Sequence, residues 1–250
     1  MTLNSCIEMS KLKGREVMKG LGVSPGIGIG KAFIIDKGAI NVKKKLVNDV
    51  DKELDRLMTA LETAKAQLND LYNSTIDELG EKEAQIFKSH EMMLEDDTFI
   101  SEVKNRIIAE GVNAEYALSE TSNAYIKMFQ NIENEYLRER SEDIKDAMNR
   151  VIRLLMGIDP LDLSHLEDNS IIVAKDLTPS DTAQLDRTKV AAMITEAGGK
   201  TSHAAIIASI MGIPTVVGLN NITDKIKAGD TVICDGRTGK VIVNPNAKQL

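Results

Sequence analysis

An α/β domain interrupted by an inserted all-α helical bundle is the fold class this sequence predicts. Three observations carry the prediction. Residues 20–40 and 158–250 hold short β-forming runs bounded by turn residues. Residues 48–157 hold no proline and only three glycines, and their apolar residues recur at helical spacing. The strand that opens the chain finds no sheet in that helical stretch, so its partners must lie beyond it.

Taken in order, residues 1–17 are polar without a clear period and are expected to form a loose extension. Gly20, Gly22, Pro25, Gly26, Gly28 and Gly30 then lead into AFII, which reads as a turn followed by a strand. In the helical region one apolar set is Val50, Leu54, Leu57, Leu61, Ala64, Leu68 and Leu71. A second is Ile86, His90, Met93 and Leu94, a third Ala117, Ala124 and Met128, and a fourth Ile144, Met148, Ile152 and Leu155. Each set marks one buried face of a helix. Gly80 and Gly111 fall where helices should stop. About four helices are expected, with an extra break near residues 96–98.

Ile158-Asp159-Pro160 closes that region. Five apolar runs follow: IIVA (171–174), VAAMI (190–194), TVV (215–217), TVICD (231–235) and VIVN (241–244). Helical stretches are expected between them at about 179–186 and 202–211. The last two runs flank Gly236-Arg237-Thr238-Gly239, a hairpin signal. Residues 18–40 plus 158–250 are therefore expected to form the α/β domain, and residues 41–157 the inserted bundle.

Composition narrows the class. Hydrophobic residues make up 42% and charged residues 28%, a globular balance. With 3% aromatics and no Trp, the core must be Leu, Ile, Val, Met and Ala. A net charge of −7 argues against nucleic acid and suits a partner with a positive face. Cys6 and Cys234 make no disulfide framework, which fits a reducing cytosol. No apolar run approaches the ~20 residues of a membrane span, and no signal-peptide core opens the chain.

The chemistry concentrates in Thr195-Glu196-Ala197-Gly198-Gly199-Lys200-Thr201-Ser202-His203-Ala204-Ala205-Ile206-Ile207-Ala208. A strand runs into a Gly-Gly turn, Thr201 or Ser202 caps a helix, and His203 opens it. A helix N-terminus suits an anion and disfavours imidazolium. Even an unperturbed imidazole, with a pKa of about 6.5, is roughly three-quarters neutral at pH 7. A neutral nucleophile before transfer and a stabilised phosphohistidine afterwards are what a phosphoryl carrier requires. The glycines would let backbone approach the phosphate. The same residues also fit an ordinary strand-to-helix connection. A metal site has little support: His90, His165 and His203 are the only histidines, and HxH, HExxH and CxxC are missing. Gly26-Ile27-Gly28-Ile29-Gly30 is neither GxGxxG nor a P-loop.

At Gly199–Ala208 the sequence resembles the phosphohistidine domains of phosphoenolpyruvate-utilising enzymes, through Gly-Gly-x-Thr-Ser-His. That superfamily includes Enzyme I of the sugar phosphotransferase system, pyruvate phosphate dikinase and phosphoenolpyruvate synthase. Four further stretches resemble Enzyme I: LGVSPGIGIGKAF (21–33), EAQIFKSHEMMLEDD (83–97), ENEYLRERSEDIKD (133–146) and VAKDLTPSDTAQLD (173–186). GIPTVVG (212–218) agrees with them. The resemblance covers nearly everything from residue 18 onward and implies the N-terminal half of that family.

The resemblance implies a swivelling phosphohistidine domain whose His203 takes a phosphoryl group from phosphoenolpyruvate. His203 then passes it reversibly to HPr, the histidine-containing phosphocarrier protein. It implies that the donor site, with magnesium and a catalytic cysteine, lies in a C-terminal domain. Because the chain stops at Leu250, it is expected to perform only the HPr half-reaction, with no cofactor of its own, as a cytoplasmic monomer. The whole family member is expected to be a dimer. Thr182 matches the hydroxyl that bonds the active histidine, and Arg140 an arginine at the HPr interface near the phosphate. Gly199, Lys200 and Ser202 match the phosphate-stabilising turn. His90, Met92 and Met93 fall on the helix that docks HPr, and one of the two adjacent methionines must face outward. Lys200 stands where many relatives have Arg, so the bidentate fork is lost there. The charges at 81–85 also depart from the family pattern.

The nitrogen-regulatory paralogue of Enzyme I is the alternative, although a 17-residue extension is too short for its usual sensory domain. Outside enzymes, the rival is a silent scaffold that only binds HPr.

Overall fold

The structure is a computed structural model that describes residues 16–38, 40–158, 163, 166–200 and 202–246. Cys6, His165 and Thr201 lie outside the described residues, as do residues 1–15 of the expected extension. The chain divides into two compact units, the described residues of Met1–Lys37 with Leu161–Leu250, and those of Gly38–Pro160.

The first unit is built on a sheet. In chain order its strands are β1 (Glu16–Lys19), β2 (Leu21–Ser24), β3 (Ile27–Ile35), β4 (Ser170–Ala174), β5 (Val190–Thr195), β6 (Thr215–Val217), β7 (Thr231–Asp235) and β8 (Lys240–Val243). They lie in the spatial order β1-β8-β7-β3-β4-β5-β6-β2. β3 to β6 run parallel, while β7, β8, β1 and β2 pair antiparallel. The parallel centre explains the unbroken apolar runs: all five residues of β4 are buried, because both faces of such strands are covered. Ala32, Ile171, Val173, Ala192, Ile194, Val216 and Val232 form the core of one face.

β3 joins the two halves of this unit. It pairs with β7 on one side and β4 on the other. A Cβ at Gly28 would overlap the Ala191 carbonyl oxygen, and one at Gly30 that of Asn169. These glycines admit neighbouring backbone rather than a turn.

Two expectations fail at this end of the chain. Glu16 and Val17 belong to β1 and not to an extension, with Glu16 opposite Val243. A four-residue edge strand owes its state to β8, which no local pattern reveals. Leu21–Ser24 is a strand rather than part of a turn. Gly22 reads as a breaker, but a side chain there would overlap the Gly236 carbonyl oxygen.

The second unit holds five helices among its described residues: α1 (Val50–Leu79), α2 (Glu81–Met93), α3 (Asp97–Glu110), α4 (Ala114–Gln130) and α5 (Glu135–Met156). Asp49 caps α1 by accepting the Lys52 N–H, and Asp96 caps α3 by accepting the Phe99 N–H at 2.8 Å. Gly111 closes α3 in the left-handed region, with φ 59°. Asn113 does not cap α4 with its side chain. Glu53, buried on α1, takes the Ala114 N–H at 2.6 Å instead. The same oxygen accepts Arg56 Nη1 at 2.6 Å, and Arg56 Nη2 donates to the Leu155 carbonyl at 2.9 Å. One ion pair thereby ties α1, α4 and the end of α5 together.

The third apolar set needs correction. Ala124 and Met128 are exposed. They lie along the edge of the buried arc of α4, whose centre includes Leu118, Thr121 and Ser122. Hydroxyls occupy that centre, and Ser122 Oγ donates to the Leu118 carbonyl at 2.6 Å, so apolar letters marked only the flank.

Three shorter segments were added or trimmed by the fold. α6 (Pro179–Ala183) and α7 (His203–Ile210) are shorter than expected, and α8 (Ile222–Lys225) was not expected at all. The β7–β8 hairpin pairs Asp235 with Lys240 across the predicted turn. No helix of the described residues is long and apolar enough to cross a membrane.

Gly30→Ala is expected to lower stability in urea denaturation by about 1–3 kcal/mol, the cost of overpacking. An unchanged midpoint would mean that β3 and the chain before β4 part freely. Cys234 is buried in β7, and burial pushes its thiol up to about 12 from 9.0. Because the folded value is raised, the stability this group contributes is full below about pH 9 and falls as the pH rises toward about 12. Peptide mass after iodoacetamide at pH 8 should find Cys234 unmodified in native protein and alkylated once urea is added.

Candidate functional site

The histidine motif is assembled at the end of β5. Strand β5 stops at Thr195, whose hydroxyl donates to the Ala197 carbonyl at 2.6 Å. Glu196 and Ala197 donate their N–H groups to the Ala174 and Lys175 carbonyls, which pins the turn to the end of β4. The Glu196 carboxylate accepts the Thr223 hydroxyl at 2.6 Å and its N–H at 2.9 Å. Those bonds, the hydroxyl's first, hold the Glu196 carboxyl below the usual carboxylate range. The tether is complete at neutral pH and is lost as the pH falls through the lowered folded value.

Gly198 has φ 105°, a backbone that side-chain-bearing residues avoid. Gly199 faces open space, so its freedom of approach is not used within the protein itself. Ser202 is the N-cap of α7. Its Oγ accepts the Ala205 N–H at 3.3 Å and donates to the Gly199 carbonyl at 3.1 Å. The hydroxyl therefore closes the turn and opens the helix at once. His203 is the first helical residue; its side chain lies outside what the structure describes. Lys200 is exposed beside it in sequence. A small cavity lies at this point, lined by Thr195, Gly198, Ser202 and Ala205, with Asp176 and Leu177 from the chain after β4.

Helix α6 packs against α7. Thr178 caps it, accepting the Asp181 N–H, while Asp181 Oδ2 accepts the Thr178 N–H and hydroxyl, each at 2.6 Å. Lys37 Nζ pairs with the same Asp181 oxygen. Thr182 lies inside this helix. It is fully buried, and its hydroxyl donates to the Thr178 carbonyl at 3.1 Å. The capping box Thr178-x-x-Asp181 is legible in the sequence as a hydroxyl followed three residues later by a carboxylate.

The second unit carries the other candidate residues. Met92 is 64% exposed and Met93 half-buried. Arg140 is 30% exposed, and its Nη1 donates to Asp143 Oδ2 at 3.1 Å. His90 requires a correction: it is 0% exposed and cannot form part of a docking surface. It lies on one helix face with the buried Ile86, Phe87 and Leu94, the spacing of a core position. Asp143 and Asp146, which flank it from α5, were not among the expected site residues. Among the described residues no three His, Cys, Asp or Glu side chains gather as a metal site.

Comparison with known proteins agrees with this architecture. Residues 19–140 match the family model described as PEP-utilising enzyme, N-terminal, and residues 166–239 match the one described as PEP-utilising enzyme, mobile domain. The phosphoenolpyruvate-protein phosphotransferase of Geobacillus stearothermophilus is 41% identical over 94% of this chain and 41% of its own length. That of Bacillus subtilis (strain 168) is 42% identical over 93% of this chain and 41% of its own. The chain thus spans about two fifths of the length of these relatives. A solved N-terminal domain of Enzyme 1 - Nitrogen superposes with TM-score 0.65 at 24% identity over 94% of this chain and 96% of that one, a likeness of fold. An NMR structure of Enzyme I (nEIt) superposes with TM-score 0.78 at 39% identity, over 92% of this chain and 94% of that one. On that extent of shared sequence and fold, the chain belongs to the Enzyme I family of phosphoenolpyruvate-utilising phosphotransferases.

Proposed function

We propose that this chain is the phosphohistidine-carrying and carrier-docking half of a sugar phosphotransferase system Enzyme I, with His203 as the phosphoryl acceptor. The observation that carries the reading is His203 at the first position of α7, after a Gly-Gly turn and under the Ser202 cap. A helix start offers unpaired N–H groups and a positive dipole end to a phosphoryl dianion.

In this mechanism a lone-pair nitrogen of neutral His203 attacks the phosphorus of phosphorylated HPr. The new N–P bond forms as the old one breaks, and its electron pair returns to the imidazole of HPr. The transition state is loose and in line, so catalysis is positioning and charge stabilisation. Backbone N–H groups at the start of α7, with Lys200 and Arg140, stabilise the charge, while Gly199 leaves the phosphate room. The Thr182 hydroxyl commits its proton to Thr178, so it meets an imidazole as an acceptor and holds the ring by an N–H.

HPr docks on the helical unit in this reading, with Met92 as an adaptable apolar contact and the acidic chain as a complementary field. The α/β unit swivels between donor and acceptor, which the family description of a mobile domain supports. Phosphoenolpyruvate, magnesium and dimerisation belong to the further length of the relatives, and the setting is cytoplasmic. Identity of 39% to Enzyme I, against 24% to the nitrogen-type protein, favours the sugar branch.

The test is incubation with phosphorylated HPr, followed by intact and peptide mass at neutral pH. One added phosphoryl group on His203 is expected, and none in His203→Ala; labelling of that variant would refute the assignment. No transfer to wild type would turn the search to the nitrogen-branch carrier or a silent scaffold. Arg140→Ala should slow transfer about tenfold or more, the loss of one charge-assisted contact, without unfolding the chain. Unchanged kinetics would remove Arg140 from the site.

A further inference from the structure

The stretch that carries His203 differs from the rest of the chain. Charged residues make up 28% of the sequence, yet none occurs from residue 201 to residue 223, between Lys200 and Asp224. Its buried members, such as Ala205, Ile207, Ala208 and Met211 on and just after α7, need no charge. The outer face of α7 has no such reason to be apolar. Ile206 is 43% exposed and Ile210 44%, and Ser209 beside them is exposed and neutral.

Helical geometry puts the two isoleucines in line with the reactive position. At about 100° per residue, positions 203, 206 and 210 fall within an arc of about 60°. Positions 206 and 210 lie about 4.5 Å and about 10.5 Å along the axis from 203. Residues four apart on a helix are surface neighbours, so Ile206 and Ile210 make one strip. Single exposed isoleucines are common on protein surfaces. A strip of two that begins at position 203, on a face free of charge, has the composition of an interface centre, where charged residues are depleted.

Covering this strip desolvates no charge. A second copy of the chain is a poor occupant, because two half-exposed isoleucines offer far less than the ~800 Å² per partner that a stable interface buries. A protein already brought to His203 by its chemistry needs only a small supplement. In the proposed function HPr is that protein. Its phosphorus must come within about 3–3.5 Å of the His203 nitrogen that attacks it, and the strip starts at that point.

We infer that Ile206 and Ile210 form an apolar docking strip for HPr on the α/β unit, beside the point of transfer. The inference rests on the reading of His203 as the acceptor of the HPr phosphoryl group. The α/β unit then contributes recognition as well as the nucleophile, and the surface of HPr that it meets is the apolar border of the HPr histidine.

Serine at both positions removes the apolar area and keeps the face neutral. Its helix propensity is close to that of isoleucine, so I206S/I210S should keep the wild-type urea midpoint. With phosphorylated HPr as donor, this variant is expected to raise the KM for HPr about tenfold, the scale of burying one such side chain. Its kcat should stay within about twofold of wild type, the signature of lost uniform binding. I206V/I210V, which keeps most of the area, should stay near wild type in both. A second readout needs no transfer. In methyl-labelled wild type, titration with unphosphorylated HPr should shift the Ile206 and Ile210 methyl resonances together with that of Met92.

Isoleucine methyls that stay in place while that of Met92 moves would overturn the inference and leave the proposed function standing. A wild-type KM in I206S/I210S would do the same. Isoleucine shifts that follow the concentration of the protein itself, without HPr, would give the strip to a second copy and overturn the inference. If wild type neither takes a phosphoryl group from HPr nor shows any shift, the proposed function fails and the strip's assignment to HPr fails with it. If the double serine variant does not fold, the wild-type methyl titration decides.

Discussion

Close backbone approach at two glycines is the constraint on which the α/β unit depends. Gly28 lies against the Ala191 carbonyl and Gly30 against that of Asn169. Both sit on β3, the strand that joins the parallel set to the β7–β8 hairpin. If β3 were held away by a side chain, β4 and β5 would lose their register with it. The turn after β5 would then lose the backbone bonds to Ala174 and Lys175 that place α7. The position of His203 at the head of α7 is therefore inherited from contacts made on another part of the sheet.

The helical unit is held together differently. Its apolar layers are conventional, but buried charges fasten them at two points. At one, Glu53 accepts both Arg56 and the first N–H of α4, and Arg56 reaches the end of α5. At the other, Asp143 stands between His90 and Arg140. Buried charges contribute little net stability but tolerate only one arrangement of partners. Such points fix helices against sliding more firmly than interchangeable leucines do, which suits a surface that must present particular side chains.

Much of this was legible in the residues. The five apolar runs of 171–244 became strands, and the Gly-Gly-x-Thr-Ser-His string became a turn, a cap and a helix start. What stayed hidden was whatever depended on remote neighbours. Gly22 reads as a turn until the hairpin residue Gly236 is known to cross it. Val17 reads as tail until β8 pairs with it. The arc of α4 is hidden from an apolar pattern because Thr121 and Ser122 are buried as hydroxyls that no such pattern counts. His90 fitted an apolar period and a docking motif equally well, and only its enclosure between α2 and α5 distinguished them.

The pairing of β3 with β4 has a consequence for the growing chain. Ile35 and Ala174 are partners across a parallel ladder, yet all of the helical unit lies between them in sequence. A nascent β3 must wait, with both edges unpaired, until the helices have been made. Those helices are contiguous and rich in local contacts, so they can complete first. The inserted unit thereby brings the two ends of its own insertion within reach, and converts a distant strand pairing into a short closure. A lesion in the helices would consequently surface as a misassembled sheet, far from where it occurred.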